Sequence, residues 1–209
     1  MSQSTEARTI RVVGQDPSLR NWGLAVGTLN LETKKLTIEL LDLTNPVLPT
    51  GKQTRQNSQD LESAFQLYKG AIAAAKGAHA VFVEVPVGSQ SARAMASYGV
   101  CVGVLGALRA NGIPFFEVTP TEVKLAGPGN KTASKQDMIQ WAMAAHPEAN
   151  WPMYRQHGAE VVSEAKAEHM ADAVAAIYAG ISCNAFQQML PFMAASINKE
   201  THANSAQTN

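Results

Sequence analysis

The apolar positions of this chain fall into two rhythms. Ile10, Val12 and Val13 mark a strand over residues 9–15, and 22–30 and 35–43 follow with alternating apolar positions such as Leu36, Ile38 and Leu40. Asn30–Lys35 is the turn between the last two. Consecutive strands at this spacing predict an antiparallel meander. The Pro-, Thr-, Gly- and Gln-rich segment 44–56 reads as a loop. Ser58 is placed to cap a helix from about Gln59 to Lys76, whose apolar side carries Leu61, Phe65, Leu67 and Ile72.

The second half changes rhythm. His79–Val85 is a continuous apolar run ending at Glu84, as expected of a parallel central strand covered on both faces. A small-residue helix over 91–111 stops at Gly112, and a strand over 113–118 is closed by Thr119-Pro120. A helical turn over 121–126, a loop over 127–132 and a helix from Ser134 to about Ala145 follow. Residues 147–160 look irregular, a helix runs over 164–179, and an amphipathic segment spans 183–197 with Pro191 near its middle. The order predicts an α/β fold with a mixed sheet. The domain expected covers 9–181, with a flexible N-terminus at 1–8, a helical extension at 182–198 and a disordered tail at 199–209.

Composition narrows the classes. The 209 residues are 45% hydrophobic and 16% charged, which suits one domain with a full core. The formal net charge is zero, so contact with nucleic acid must come from local patches. Cys101 and Cys183 lack metal-ligand spacing and are expected as reduced, buried thiols. The chain shows no signal peptide and no uncharged apolar run near 18 residues, so the expected location is cytoplasmic: bacterial, or host if phage-encoded.

Candidate chemistry lies in the acidic residues. Asp16 ends the first strand before a Pro-Ser turn, and Gly23 opens the next apolar run. Glu84 ends the later strand, and in open α/β sheets sites form at such ends. His169 and Asp172 stand three residues apart on a helix, which puts them on one face. Such a cluster needs compensating cations, and oxygen-rich ligand sets select Mg²⁺ or Mn²⁺. Two ions about 4 Å apart can align a water and stabilise a departing oxygen in phosphodiester cleavage. Taken singly, each residue has a plainer reading as a turn, a salt-bridged strand end or a satisfied histidine.

In combination the motifs resemble the RuvC family of Holliday junction resolvases, in the RNase H-like (retroviral integrase) superfamily. Gly14-Gln-Asp16-Pro-Ser-Leu-Arg-Asn-Trp-Gly23 is similar to the family's opening motif, and Val83-Glu84-Val-Pro-Val to its second acidic strand. Thr119-Pro-Thr-Glu-Val-Lys124, with Lys131 and Lys135 downstream, resembles its Thr-Pro-x-x-Val-Lys segment. His169-Met-Ala-Asp172-Ala-Val-Ala resembles its final helix. The resemblance spans about Arg11 to Ile181 and departs at Gln15, Ser18 and Val87, as a divergent, phage-type member would.

That resemblance implies an RNase H-like fold: a mixed five-stranded sheet, meander plus parallel strands, flanked by helices. It implies a Mg²⁺-dependent endonuclease, with Mn²⁺ able to substitute and two ions per site. The enzyme would act as a homodimer on four-way junctions, forks or flaps, away from membranes. The metal ligands would be Asp16, Glu84, His169 and Asp172, with Lys135 joining them in catalysis. Arg20, Arg93, Lys124, Lys131 and Lys135 would meet DNA phosphates. The helix over 91–111, with Ala94, Ala96, Gly99, Gly103 and Gly106, is the expected dimer face. A catalytically weak branched-DNA-binding protein and an actin/hexokinase-like phosphotransferase are the alternatives.

Overall fold

The computed structural model describes residues 8–51 and 55–207, with side chains described through residue 195. β1 (Thr9–Asp16), β2 (Trp22–Asn30) and β3 (Leu36–Thr44) form the meander. α1 (Gln56–Ala75), β4 (Ala80–Glu84), α2 (Ala92–Ala110) and β5 (Phe116–Val118) follow. Then come α3 (Pro120–Ala126), α4 (Lys135–Ala145), β6 (Met153–Gln156), β7 (Ala159–Val162), α5 (Glu164–Ser182) and α6 (Asn184–Gln207). The main sheet has five strands in the order β3-β2-β1-β4-β5, mixed as the sequence implies.

Register decides what meets at the end of this sheet. β1 runs antiparallel to β2, with Asp16 opposite Gly23. β1 runs parallel to β4, with Gln15 opposite Val83. The next residue of each strand, Asp16 and Glu84, therefore closes neighbouring strands at their C-terminal ends.

Both faces of the central strands are covered, which is why they read as near-continuous apolar runs. Val13, Leu24, Val26, Val81 and Val83 pack against Leu67 and Ala71 of α1 and Val104, Leu105 and Leu108 of α2. Ile10, Val12, Ala25, Leu29 and Phe82 pack on the opposite side against α5 residues Ala173, Val174 and Ile177. Two glycines set how closely α5 lies. A Cβ on Gly14 would collide with the Ala173 carbonyl oxygen, and one on Gly23 with the carbonyl oxygen of His169. The start of α6 also joins the core, where Phe186 meets Phe82 and Phe116 edge-on at 5.1 and 5.4 Å between centroids.

Several elements differ from the sequence expectation. α1 starts at Gln56 with Arg55 at its N-cap, because Ser58 and Gln59 both donate backbone N–H groups to the Arg55 carbonyl. β5 is confined to Phe116–Val118, because Ile113 N–H bonds back to Leu108 at the end of α2 and Pro114 has no donor. Most of the segment expected to be irregular, 147–160, belongs to a hairpin over 153–162, turned by His157 (φ 48°) and Gly158 (φ 84°). Two consecutive positive φ angles make the tight turn that suits strand twist. α6 runs to Gln207, through most of the segment read as a disordered tail, whose Ala, Glu, Lys and Gln residues favour a helix. The flexible N-terminus expected over 1–8 lies outside the described residues except for Arg8, as do Thr208 and Asn209. Cys101 is buried and Cys183 half-buried, and both are free. Among the described residues, no helix is long and apolar enough to cross a membrane.

Candidate active site

The end of β1 is locked from beneath. Gln15 is fully buried; its side-chain oxygen accepts from Trp22 Nε1 at 3.1 Å and its amide donates to the Ala71 carbonyl at 3.3 Å. The same side chain thus ties both ends of loop 17–21 to α1. Asn45 adds a clamp from the neighbouring loop, donating to the Arg20 carbonyl at 2.9 Å and to Asn21 Oδ1 at 2.8 Å. A buried polar network with its partners in place rigidifies what it joins, and here that is the segment presenting Asp16.

α5 crosses the sheet over Gly14 and Gly23 and brings His169 and Asp172 to the same end. His169 Nδ1 lies 2.7 Å from Asp16 Oδ2, with 17% and 14% of the two side chains exposed. Burial by itself would lower the imidazole pKa, but the hydrogen bond and charge of Asp16, with Glu168 and Asp172 behind them, carry it above its ordinary value. Glu84 is pushed up to about 8, first by burial and then by the charges of Asp16 and Asp172. Asp172 is pushed up to about 7, by burial, Asp16 and Glu168. Lys124 on α3 opposes both shifts, so its charge is directed at the cluster.

Lys135 opens α4 behind a capping box in which Ser134 and Asp137 satisfy each other's backbone N–H. Its Nζ lies 2.6 Å from Glu168 Oε1. That bond holds the ammonium pKa above its ordinary value, and the charge of Asp172 adds to the effect. Glu168 is the site residue that sequence reasoning missed. Its signal was the i, i+4 spacing to Asp172, which puts both on one face of α5.

The remaining cations are placed elsewhere. Arg93 forks onto Asp60 of α1, at 3.1 and 3.2 Å. Arg20 also acts electrostatically on Asp60. Lys131 is exposed in the loop before α4. The Cys101 thiol is pushed up to about 12 by burial and by Asp16, so it is no nucleophile here.

Among the described residues, no group of three His, Cys, Asp or Glu side chains is arranged as it stands to hold a metal ion. The donor set nonetheless has the chemistry of a hard-cation site. Asp16, Glu84 and Asp172 are crowded together, two of them are driven toward protonation, and an imidazole stands beside them. A divalent cation would replace the protons that the cluster otherwise holds.

The architecture is shared with solved structures. Thermus thermophilus RuvC in complex with a Holliday junction substrate superposes at a TM-score of 0.57 with 20% identity, covering 86% of this chain and 96% of that one. A second structure of that RuvC gives 0.55 and 21% identity, with 81% and 92% covered. The fold is RuvC-type. The yeast mitochondrial Holliday junction resolvase Ydc2 shares it at 0.51 and 16% identity, covering 94% of this chain and 88% of that one. No protein-family model and no curated protein matches the chain. In this RuvC-type fold, Asp16, Glu84, His169 and Asp172 occupy one end of the sheet, with Lys124 and Lys135 at the rim.

Proposed function

We propose that this chain is a structure-selective DNA endonuclease that nicks four-way junctions or related branched DNA. The observation that carries the reading is the gathering of Asp16, Glu84, His169 and Asp172 at the ends of β1, β4 and α5, with Glu84 and Asp172 held far above ordinary carboxylate pKa values. The junction complex of a protein with the same fold supports the substrate class.

Asp16, Glu84, Asp172 and His169 would hold two divalent cations, Mg²⁺ or Mn²⁺. Such ions supply Lewis-acid stabilisation of a phosphodiester and activation of water. The protein's own contribution is placement. Gln15 and Trp22 fix the strand end that presents Asp16. Lys135 carries a positive charge beside the cluster, where it can stabilise charge developing on the scissile phosphate. Lys124 offsets the repulsion among the carboxylates and presents a phosphate contact. Lys131, Arg20 and Arg93 are proposed as outer phosphate contacts, Arg93 after release from Asp60.

Paired nicks related by two-fold symmetry call for two copies. An apolar groove of about 670 Å³ between α1 and α2 supports a homodimer through this face; Leu61, Phe65, Tyr68, Val100 and Val104 line it. Leu61 is 72% and Phe65 56% exposed. Gly99, Gly103 and Gly106 leave open space above the α2 backbone, so a second copy could approach closely.

The phosphotransferase alternative needs two related lobes, and the described residues contain one such sheet. The testing experiment is incubation with labelled four-way junction, fork, flap and plain duplex in Mg²⁺, Mn²⁺ or EDTA. Metal-dependent nicking of branched substrates in preference to duplex is expected. Equal nicking of duplex, or nicking in EDTA, would contradict the proposal.

A further inference from the structure

The β6–β7 hairpin is the one strand pair outside the main sheet among the described residues. Its register pairs Met153 with Val162, Tyr154 with Val161, Arg155 with Glu160 and Gln156 with Ala159. Every residue from Met153 to Glu160 is exposed. At its base Val162 packs on the core, and the Ser163 N–H donates to the Pro152 carbonyl at 2.8 Å. Anchored there, the ribbon projects beyond the core instead of covering it.

Its position ties it to the candidate site. Ser163 is the N-cap of α5, the helix that carries Glu168, His169 and Asp172. At 1.5 Å of rise per residue, the ribbon joins α5 about 9 Å before His169. DNA seated at the carboxylates would extend past the point where the ribbon emerges.

The shape and chemistry of the ribbon suit a DNA groove. A two-stranded β-ribbon fits the major groove, which is about 12 Å wide. Four residues per strand give a reach of roughly 13 Å, or about four base pairs. The outer end carries Arg155, Gln156 and His157 in succession, closed by Gly158. Arg and Gln can each bond a base edge through two groups. The Tyr154 hydroxyl donates to Gln156 Oε1 at 3.4 Å, and the Gln156 side chain is exposed. Glu160 lies across from Arg155, so the ribbon is not a patch of positive charge. These features favour groove contact over simple attraction to phosphate.

We infer that the β6–β7 ribbon is a second DNA-contacting element, which enters the groove of a duplex arm next to the cleavage site and contributes to the choice of substrate. The inference rests on the branched-DNA reading above. The occupant is the substrate's own duplex arm.

The test compares full-length wild type with R155A/Q156A/H157A, and with Y154A as a milder variant. All these side chains are exposed, so melting temperatures should match the wild type. Binding to a four-way junction is measured in Ca²⁺, and each arm is footprinted with hydroxyl radicals. The triple variant should bind roughly five- to tenfold more weakly. It should lose protection on one arm near the branch and keep protection at the branch itself. Y154A should show the same loss to a smaller degree. Three outcomes would overturn the inference. One is a triple variant with wild-type affinity and an unchanged footprint. Another is a variant that binds normally but no longer dimerises by light scattering, which would make the ribbon a protein contact. The last is a wild-type protein that neither binds nor nicks the junction, which would remove the branched-DNA reading as well. Wild-type nicking with an unaltered variant footprint removes only the role of the ribbon.

Discussion

His169 Nδ1 lies 2.7 Å from Asp16 Oδ2, joining α5 to the end of β1 across 153 residues of sequence. This pair makes a pH-dependent contribution to the stability of the metal-free protein. The imidazole pKa is raised in the folded state, the Asp16 bond and charge outweighing burial. The stabilisation is therefore fully present below the unfolded value of about 6.5 and disappears as pH rises through the folded value. In EDTA, H169A should melt well below wild type at pH 6 and closer to it at pH 9. Equal destabilisation at both pH values would show that the pair is not charged.

Glu84 and Asp172 act in the same direction for a different reason. Their carboxyls are pushed up to about 8 and about 7 in the folded state, from ordinary values of 4.5 and 3.8. Between the ordinary and shifted values the folded protein binds more protons than the unfolded chain. Stability must then fall as pH rises through that range. Metal-free protein should melt lower at pH 8 than at pH 5, E84Q should flatten the slope, and Mg²⁺ should restore stability at pH 8. A pH-independent melting temperature in EDTA would remove the electrostatic argument for cations.

Gln15 tests the support beneath the site. Q15L fits the buried volume but strands the Trp22 indole N–H, at a cost of about 1–3 kcal/mol. Loop 17–21 should loosen, so nicking should fall further than binding. The comparison needs urea denaturation alongside single-turnover rates. Wild-type stability and rate in Q15L would make the network incidental.

The proposed dimer face carries its own test. L61E and F65E place charge in the groove between α1 and α2 without touching the carboxylate cluster. Both should shift the light-scattering mass from dimer to monomer and convert paired nicks to single ones. A wild-type monomer with paired nicking would refute the arrangement.

Lys135 should matter more for rate than for affinity. K135A removes a positive charge beside the cluster, and nicking should slow by roughly 10²-fold, the scale of one electrostatic stabiliser. Its salt slope of binding should fall by about 1. Equal losses in rate and affinity would reduce Lys135 to an anchor.

Much of this was legible in the sequence because its signals are local. Alternating apolar residues mark the meander, Asp16 and Glu84 stand at strand ends, and the i, i+3 spacing puts His169 and Asp172 on one face. The ribbon was hidden because its strands are only four residues long and a histidine, rather than asparagine, precedes Gly158. Glu168 was hidden because its partner, Lys135, is distant in sequence and joins it only through the packing of α4 on α5. Arg93 reads in the sequence as a free cation, but α1 and α2 pair it with Asp60, from which it must be released to reach a phosphate. The role of Gln15 could not be read either, since a lone polar residue in a strand does not reveal which indole will meet it.

The central claim is that Asp16 anchors a cation-dependent nuclease site. The most direct measurement sets wild type beside D16N on a labelled four-way junction in Mg²⁺, recording nicking and binding together. The amide keeps the shape of the side chain and removes its charge. Nicking should fall by about a thousandfold or more, since several kcal/mol of metal-supplied stabilisation would go with the charge. Junction affinity should stay equal or become tighter, because it rests on phosphate contacts. Near-normal nicking by D16N, or loss of binding in step with loss of nicking, would contradict that claim.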